Sequence, residues 1–250
     1  MIIVGLGELG QLLAAAFLKA GYPVYPVTRS DCLSDLVAEG IDPLLVVIAV
    51  GEADLQGVLS VVPDAYRSKI LLLQNELLPL DWISQDISDP TVLVVWLDKK
   101  KGRPAVSVLP NRISGPNAVL VAQVLNALDV PTMVIGQDDL LRCLLAKNLY
   151  ILTVNIAGLK CGGIVGDLWS MHRELTECLA HEIMDIQFKR LGREFDRSLL
   201  LEDMLEGFRG DPDHICMGRS AGKRLEKALS DASFFGLDVP VLTLIQSQRE

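Results

Sequence analysis

The stretch MIIVGLGELG, residues 1–10, decides the fold of this chain. Its first five residues have the β-branched pattern of a short strand, and they lead directly into Gly5-Leu6-Gly7-Glu8-Leu9-Gly10. From Glu8 to residue 20, apolar residues recur every three or four positions, which predicts a helix. Residues 22–27 then predict a second strand. A strand, a glycine-rich turn, a helix and a strand within about 30 residues predict the dinucleotide-binding unit of a doubly wound sheet.

Each glycine of this motif has a separate physical role. We expect Gly5 to permit the tight turn, Gly7 to let a pyrophosphate approach the backbone, and Gly10 to let the helix pack closely against the sheet. The N-terminus of the helix adds N–H groups and the positive end of a dipole. An ordinary glycine turn is the alternative, and the strand–helix–strand context disfavours it.

The end of the second strand indicates which dinucleotide is bound. Sites for NAD usually carry Asp or Glu there, whereas an arginine can accept the 2′-phosphate of NADP. This strand ends at Thr28, Arg29 and Ser30, which favours NADP(H), and Asp31 is expected to cap the next helix. The alternative is that Arg29 is a solvated loop residue. We expect NADP(H) to contact Gly5, Leu6, Gly7, Glu8, Leu9, Gly10, Thr28, Arg29, Ser30, Val50 and Gly51.

The rest of the chain divides into two parts with different periodicity. Strands alternate with helices over residues 1–136; further strands are predicted over 44–50, 69–73, 92–96, 105–109 and 132–135, and a helix over 116–128. From residue 138 onward only helices are predicted, over 138–159, 167–191, 197–206 and 218–235. The predicted fold class is α/β, with an N-terminal Rossmann domain (a doubly wound, mostly parallel sheet) over residues 1–136. A smaller all-α domain, for substrate binding or dimerisation, follows over residues 137–250.

Composition and charge exclude several classes of protein. Hydrophobic residues make up 50% of the 250 and aromatic residues only 5%, which is typical of α/β sheets and not of disordered chains. A net charge of −9 gives no electrostatic basis for binding nucleic acid or a membrane. Five scattered cysteines disfavour a disulfide framework or a metal site. Because a signal peptide would remove the glycine motif, we expect a cytoplasmic protein that binds a small-molecule substrate.

The apolar stretch 140–159 predicts a buried helix whose polar residues are the candidates for catalysis. At 100° per residue, Asn148 and Asn155 lie about 20° apart around the axis, and Lys147 lies within about 100° of both. Reduction of a ketone needs a hydride and a proton, and a partly buried lysine with a lowered pKa can supply the proton. The alternative is a lysine whose long stem reaches the surface. At the end of another strand, Asn75 is a candidate to orient a nicotinamide or a carbonyl group; a simple turn is the alternative.

On these motifs the chain resembles the ketopantoate reductase family over almost its whole length. The opening GxGxxG and the following Arg29 match the family's NADP(H) site, and Gln74-Asn75 matches its Gln-Asn-Gly. Lys147 opens the family's Lys-x3-Asn-x3-Asn helix, and Asn155 is the second Asn of that pattern. The resemblance implies that Lys147, Asn75 and Asn155 are catalytic. It also implies an all-helical second domain of the 6-phosphogluconate dehydrogenase type and a possible homodimer.

The chain departs from the family pattern where the family recognises its substrate. Ile151 stands at the first Asn of the lysine helix, and Glu76 replaces the glycine after Asn75. The family's late glutamate has no clean counterpart and falls near Ser220. We therefore expect a keto acid or related substrate rather than ketopantoate itself, with Asn148 and Ser220 as candidate substrate contacts.

Two other functions stay open at this point. One is a β-hydroxyacid dehydrogenase, which also pairs a Rossmann domain with a lysine-bearing helical domain; such enzymes usually carry Asn three or four residues after the lysine, and residues 150 and 151 are Tyr and Ile. The other is a catalytically silent dinucleotide-binding sensor or interaction protein. Ile151 favours the sensor, and Lys147 disfavours it.

Overall fold

The structure, a computed structural model, describes residues 1–98 and 106–248. A basic run at residues 99–103, which the sequence predicts to be a hairpin turn, lies outside these residues. The strands of the described part are β1 Ile2–Val4, β2 Tyr25–Val27, β3 Val46–Ile48, β4 Ile70–Leu72, β5 Thr91–Val94, β6 Leu97–Asp98, β7 Val106–Ser107, β8 Asn111–Ser114 and β9 Thr132–Val134.

Seven of these strands form one sheet in the order β2-β1-β3-β4-β5-β8-β9 within the described residues, and β6 pairs with β7. The first five strands are parallel to one another, β5 and β8 are antiparallel, and β8 and β9 are parallel. Because β2 and β3 flank β1 on opposite sides, the order of the strands reverses there. Ligands of doubly wound sheets bind at such a point, beyond the carboxyl ends of the strands. The doubly wound, mostly parallel sheet predicted from the sequence is confirmed.

The central strands are short apolar runs that are buried on both faces. β1, β3 and β4 read IIV, VVI and ILL, and all of their residues are buried. Phe17 of helix α1 (Glu8–Lys19) and Val121 of helix α6 (Ala118–Asn126) belong to the core cluster that covers one face of these strands. Such continuous runs of β-branched and aliphatic residues are typical of parallel sheets covered by helices.

Helices occupy much of the remaining chain. A 3-10 turn covers Glu52–Asp54. The helices are α1 Glu8–Lys19, α2 Leu33–Ala38, α3 Leu55–Leu59, α4 Asp64–Arg67, α5 Leu80–Ile83, α6 Ala118–Asn126, α7 Gln137–Cys161, α8 Val165–Ser170, α9 Arg173–Leu191, α10 Arg197–Gly210, α11 Ala221–Phe235 and α12 Pro240–Ser247.

The chain divides into two compact units, Met1–Leu144 and Leu145–Glu250. The division falls inside α7. The sequence instead suggests a boundary after residue 136, where the predicted alternation of strands and helices ends and only helices follow. The single helix predicted over 167–191 is wrong, because α8 and α9 are separate helices. Buried Thr176 joins them: its Oγ1 donates to the carbonyl oxygens of Leu168 and His172, at 2.9 Å each.

Helix α7 is long and apolar enough to cross a membrane by length and composition alone. However, 67% of its most apolar window is buried inside the protein. A core helix accounts for this composition, as the sequence predicts.

Candidate functional site

The turn after β1 is shaped by two close backbone contacts. Gly5 has a φ of +90°, and its N–H donates to the carbonyl oxygen of Val27 at 2.9 Å. A Cβ added at Gly5 would lie 2.8 Å from the carbonyl oxygen of Ala49, and one added at Gly10 would lie 2.0 Å from that of Gly5. Side chains at either position would therefore push α1 and β3 away from the turn.

Gly7 differs, because a Cβ there would meet nothing within 4 Å. It is the N-cap of α1, in extended conformation and without a side-chain cap. The first N–H groups of a helix have no partner within the helix, so the turn presents donors to open space. This is the arrangement that a pyrophosphate needs.

A cavity of about 360 Å³ lies beside this turn, at the point where the strand order reverses. Its lining brings together many of the predicted cofactor contacts, whereas Glu8, Leu9, Gly10 and Ser30 are not part of it. The lining residues are Val4, Gly5, Leu6, Gly7, Val27, Thr28, Arg29, Ala49, Val50, Gly51, Asp54 and Val58.

The loop after β2 is organised by Asp31. Its Oδ2 accepts hydrogen bonds from the backbone N–H and the Oγ1 of Thr28, both at 2.7 Å, and Thr28 Oγ1 lies 3.0 Å from Ser30 Oγ. The bonds donated by Thr28 lower the pKa of Asp31. The prediction that Asp31 caps the next helix is wrong: the N-cap of α2 is Cys32, which makes no side-chain cap. Asp31 instead accepts both of these hydrogen bonds from Thr28, three residues earlier, and so closes the loop after β2.

Arg29 points into solvent from this loop. Its side chain is 94% exposed, and its Nη2 lies 3.3 Å from Oδ2 of Asp54. An exposed pair of this kind contributes little to stability. The guanidinium can therefore exchange Asp54 for a phosphate at small cost.

Asn75 follows β4 at the same edge of the sheet. Its Nδ2 donates to Oε1 of Glu52 at 3.0 Å. Next to it, buried Gln74 donates from Nε2 to the carbonyl oxygens of Ile48 and Val50, at 2.6 and 3.2 Å. Gln74 thus ties the ends of β3 and β4 together, and Asn75 and Glu52 are held as a pair.

Glu76, the residue that departs from the Gln-Asn-Gly pattern, has a φ of +61°. This left-handed conformation is unstrained for glycine and costs other residues about 1–2 kcal/mol. Glu76 therefore has a backbone conformation that glycine adopts more easily than glutamate.

In the second unit, Lys147 is buried on α7, with 9% of the residue exposed. Burial, and next the positive charge of Arg224, lower its pKa to about 7. Its Nζ also lies 5.3 Å from the ring centroid of Tyr150. The alternative of a lysine that reaches solvent does not fit this burial.

Asn155, two turns further along α7, has intramolecular partners at both ends of its amide. Oδ1 accepts from the backbone N–H of Gly218 at 3.2 Å and from Nη1 of Arg224 at 3.1 Å. Nδ2 donates to the carbonyl oxygen of Ile151 at 2.9 Å. The structure thus groups Lys147 and Asn155 around Arg224.

The two candidate substrate contacts lie in different environments. Asn148 is buried on α7, with 3% exposed. Ser220 is exposed; it is the N-cap of α11, and its side chain makes no cap.

Sequence reasoning missed Arg224. It lies on α11 among the buried residues Ala221, Leu225, Ala228 and Ala232, so it occupies an apolar position of the helical repeat. A charged residue at such a position is the signal that could have found it, because arginine is almost never buried unless paired.

Comparison with known proteins was made by sequence and by structure. No protein-family model and no curated protein matched the sequence. The structure is similar to 2-dehydropantoate 2-reductase from Methylococcus capsulatus, with a TM-score of 0.71, 14% identity, and 99% and 94% of the two chains covered. It is also similar to a probable 2-dehydropantoate 2-reductase from Bacillus subtilis, with a TM-score of 0.67 and 19% sequence identity. That alignment covers 99% of this chain and 97% of the reductase. A third similar structure is D-mandelate dehydrogenase with NADH and anilino(oxo)acetate, with a TM-score of 0.68 and 10% sequence identity. That alignment covers 99% of this chain and 96% of the dehydrogenase.

These structures share the fold over nearly their full lengths at low identity. The resemblance predicted from the sequence is therefore confirmed at the level of the fold. The chain has the fold of the ketopantoate reductases.

Proposed function

We propose that the protein is an NADP(H)-dependent oxidoreductase that reduces a small keto compound, with Lys147 as the proton donor. The observation that carries this proposal is the burial of Lys147, whose pKa is lowered to about 7. The cavity beside the glycine turn of the other unit supports it. A buried lysine that titrates near neutrality is suited to acid–base catalysis.

The first unit has the groups that a dinucleotide needs. The backbone of Gly5 and Gly7 and the first N–H groups of α1 would hold the pyrophosphate, since the space at Gly7 is open. Arg29 would bind the 2′-phosphate of NADP(H), with the hydroxyls of Thr28 and Ser30 beside it. When bound, the nicotinamide supplies the hydride.

Lys147 would complete the reduction. As the carbonyl carbon gains a hydride, its oxygen becomes an alkoxide, and the Lys147 ammonium donates a proton to that oxygen. The positive charge also stabilises the developing alkoxide. Burial and Arg224 favour the neutral amine that remains, so proton release is easy near pH 7.

The two asparagines would act in different ways. Asn75, held by Glu52, would orient the reactants by its amide. Asn155 would be a positioning residue for Arg224, because its Oδ1 accepts from that guanidinium.

The structural neighbours support the reaction class. Their names describe a reductase of 2-dehydropantoate and a dehydrogenase of D-mandelate, and the second was solved with NADH. Both reactions interconvert a keto group and an alcohol beside a carboxylate.

The test is a panel of 2-keto acids with NADPH and with NADH, monitored by loss of nicotinamide absorbance. We expect turnover with NADPH in the wild type and a loss of at least about 100-fold in Lys147→Ala. Lys160→Ala is the matched control, since Lys160 is an exposed lysine of the same helix. Tight NADPH binding without turnover of any panel member would instead favour the silent sensor.

A further inference from the structure

Another cavity, of about 280 Å³, lies in the second unit, where α9 ends and α10 begins. Its lining includes three cationic side chains and two carboxylates, which are Lys189, Arg193, Arg197, Asp185 and Glu194. These residues are different from those proposed above for catalysis and for the cofactor. The cavity therefore has an excess of positive charge in a chain whose net charge is −9.

Two of these cations lie against aromatic rings. The guanidinium of Arg193 lies 4.7 Å from the ring centroid of Phe195, and that of Arg197 lies 5.1 Å from the ring centroid of Phe188. The centroids of the two rings are 5.8 Å apart. Because the two arginines and the two rings form one continuous stack, both guanidiniums are restrained before any ligand binds.

This restraint favours the binding of an anion. An arginine that rotates freely loses conformational freedom when it binds a ligand, and that loss weakens the binding. A ring contacts only the face of a guanidinium, whereas the five N–H donors lie in its plane. The stack therefore reduces the entropic cost of binding and leaves donors available at the edges of both groups.

The ion pairs of the three cations differ. Arg197 donates from Nη2 to Oδ1 of Asp185 at 2.5 Å, and both side chains are partly exposed. Among the residues that the structure describes, neither Lys189 nor Arg193 forms an ion pair. Lys189 lies in the last turn of α9, where the helix dipole favours a cation, but Arg193 lies beyond the end of that helix. Arg193 is thus a restrained cation for which neither a carboxylate nor the helix accounts.

A phosphate monoester suits this cluster better than a carboxylate does. At pH 7 it carries a charge of about −1.5 to −2 and has three acceptor oxygens, whereas a carboxylate has one charge and two oxygens. Buried Phe188 and half-buried Leu237 add apolar surface to the lining, on which the carbon part of a ligand can pack. The volume of the cavity is at the lower end of the range for small-molecule sites.

We propose that this cavity binds a small organic phosphate, with Arg193 and Arg197 as the principal contacts. The phosphate would replace Asp185 as the partner of Arg197, at small cost because the pair is partly exposed. The proposal does not depend on the reductase activity, since it uses neither the lysine of α7 nor the glycine turn.

The experiment is calorimetry with phenyl phosphate at constant ionic strength, in the wild type, Arg193→Gln, Asp185→Asn and Arg173→Gln. Arg173 is the matched control: it is an exposed arginine of α9 that lies 4.8 Å from the ring centroid of Trp169, and it does not line the cavity. We expect saturable binding to the wild type with a Kd below about 1 mM. Binding should be at least about 5-fold weaker in Arg193→Gln and unchanged in Arg173→Gln. Asp185→Asn should bind a few-fold more tightly, because the competing carboxylate is removed.

Benzoate, which pairs a phenyl ring with a carboxylate, should bind at least about 5-fold more weakly than phenyl phosphate. Melting temperatures check that each variant folds, and phenyl phosphate should raise that of the wild type. No saturable binding to the wild type by about 10 mM, or equal binding to Arg193→Gln and the wild type, overturns the proposal. An equal loss in Arg193→Gln and Arg173→Gln also overturns it, because net charge alone would then explain the effect. Equal affinities for benzoate and phenyl phosphate overturn the assignment to phosphates, and a loss of NADPH affinity in Arg193→Gln would assign the cation to the cofactor instead.

Discussion

Arg29 and Asp54 form an exposed ion pair that lines the cavity beside the glycine turn, with 3.3 Å between Nη2 and Oδ2. If the proposed NADP(H) site is correct, the 2′-phosphate replaces Asp54 as the partner of Arg29. We therefore expect Arg29→Ala to weaken NADPH binding by roughly 10-fold or more and to leave NADH binding nearly unchanged. Titration of each cofactor by fluorescence measures both constants.

Removal of the competing acid should have the opposite effect. Asp54→Asn keeps the shape of the side chain but removes its charge, so NADPH should bind a few-fold more tightly than to the wild type. Equal affinities for NADPH and NADH in the wild type, or no effect of Arg29→Ala, would remove the assignment of NADP(H).

The lowered pKa of Lys147 predicts the pH dependence of the reaction. Reduction needs the protonated ammonium, so kcat/KM should be flat at lower pH and fall as the pH rises through about 7. Oxidation of the corresponding alcohol needs the neutral amine and should rise over the same range. Rate profiles in both directions check this; a reduction rate that stays constant to pH 9 would contradict the assigned role.

Substitution of Arg224 should shift the dependence of kcat/KM on pH. Because its charge lowers the pKa of Lys147, Arg224→Gln should shift the alkaline limb of the reduction profile to higher pH. A purely structural arginine would change the rate without shifting the limb. Lys223→Gln, on the exposed face of the same helix, is the control for a general change in net charge.

Glu182 of α9 should stabilise the second unit through α12. Its two carboxylate oxygens accept from the backbone N–H groups of Val241 and Leu242, at 2.7 and 2.9 Å. Glu182→Ala leaves these donors without an acceptor, so the free energy of unfolding should fall by about 1–3 kcal/mol. Glu177→Ala, in an exposed i,i+4 ion pair of the same helix, should change it by less than about 0.5 kcal/mol. Urea denaturation measures both.

The same residue predicts a pH effect on stability. Burial raises the pKa of Glu182, although the two N–H donors partly counter it. The unfolded chain then loses this proton at a lower pH than the folded chain. The free energy of unfolding of the wild type, relative to Glu182→Gln, should therefore decrease as the pH rises from the ordinary glutamate pKa through the raised one. A difference that increases with pH would show that the hydrogen bonds outweigh burial.

Glu76 offers a test of backbone strain. At a φ of +61°, Glu76→Gly removes a steric cost but adds freedom to the unfolded chain. The net expectation is a gain in the free energy of unfolding of up to about 1 kcal/mol, with no gain for Glu76→Ala. Equal stability of the two variants would show that the turn stores no strain.

How far the sequence predicts the fold depends on the range of the contacts involved. β1, α1 and β2 are predictable because the glycine spacing and the helical repeat act within about 30 residues. The strand β8 was missed because Asn111, Arg112 and Ser114 are typical of a loop. Buried Asn111 has distant partners: its Oδ1 accepts from the N–H of Trp96, 15 residues earlier, and its Nδ2 donates to the carbonyl oxygen of Pro131, 20 residues later.

The sequence separation of the contacts also explains why some residues of the candidate site were predicted and one was missed. Lys147 and Asn155 share one helix, so the 3.6-residue period places them together. Arg224 joins them from 69 residues beyond Asn155, and only tertiary packing can bring it there. Asp31 is a local example: its carboxylate could bond either to the next helix or to Thr28, and in the structure it accepts from Thr28.

Gly218 is a position at which a substitution would change the arrangement of Asn155 and Arg224 without replacing either residue. A Cβ there would lie 2.8 Å from Asn155 Oδ1, the atom that also holds Arg224. The smallest added side chain would therefore displace the amide and, with it, the direction of the guanidinium. A substitution in this exposed loop would therefore change the arrangement of both groups, although neither residue is itself replaced.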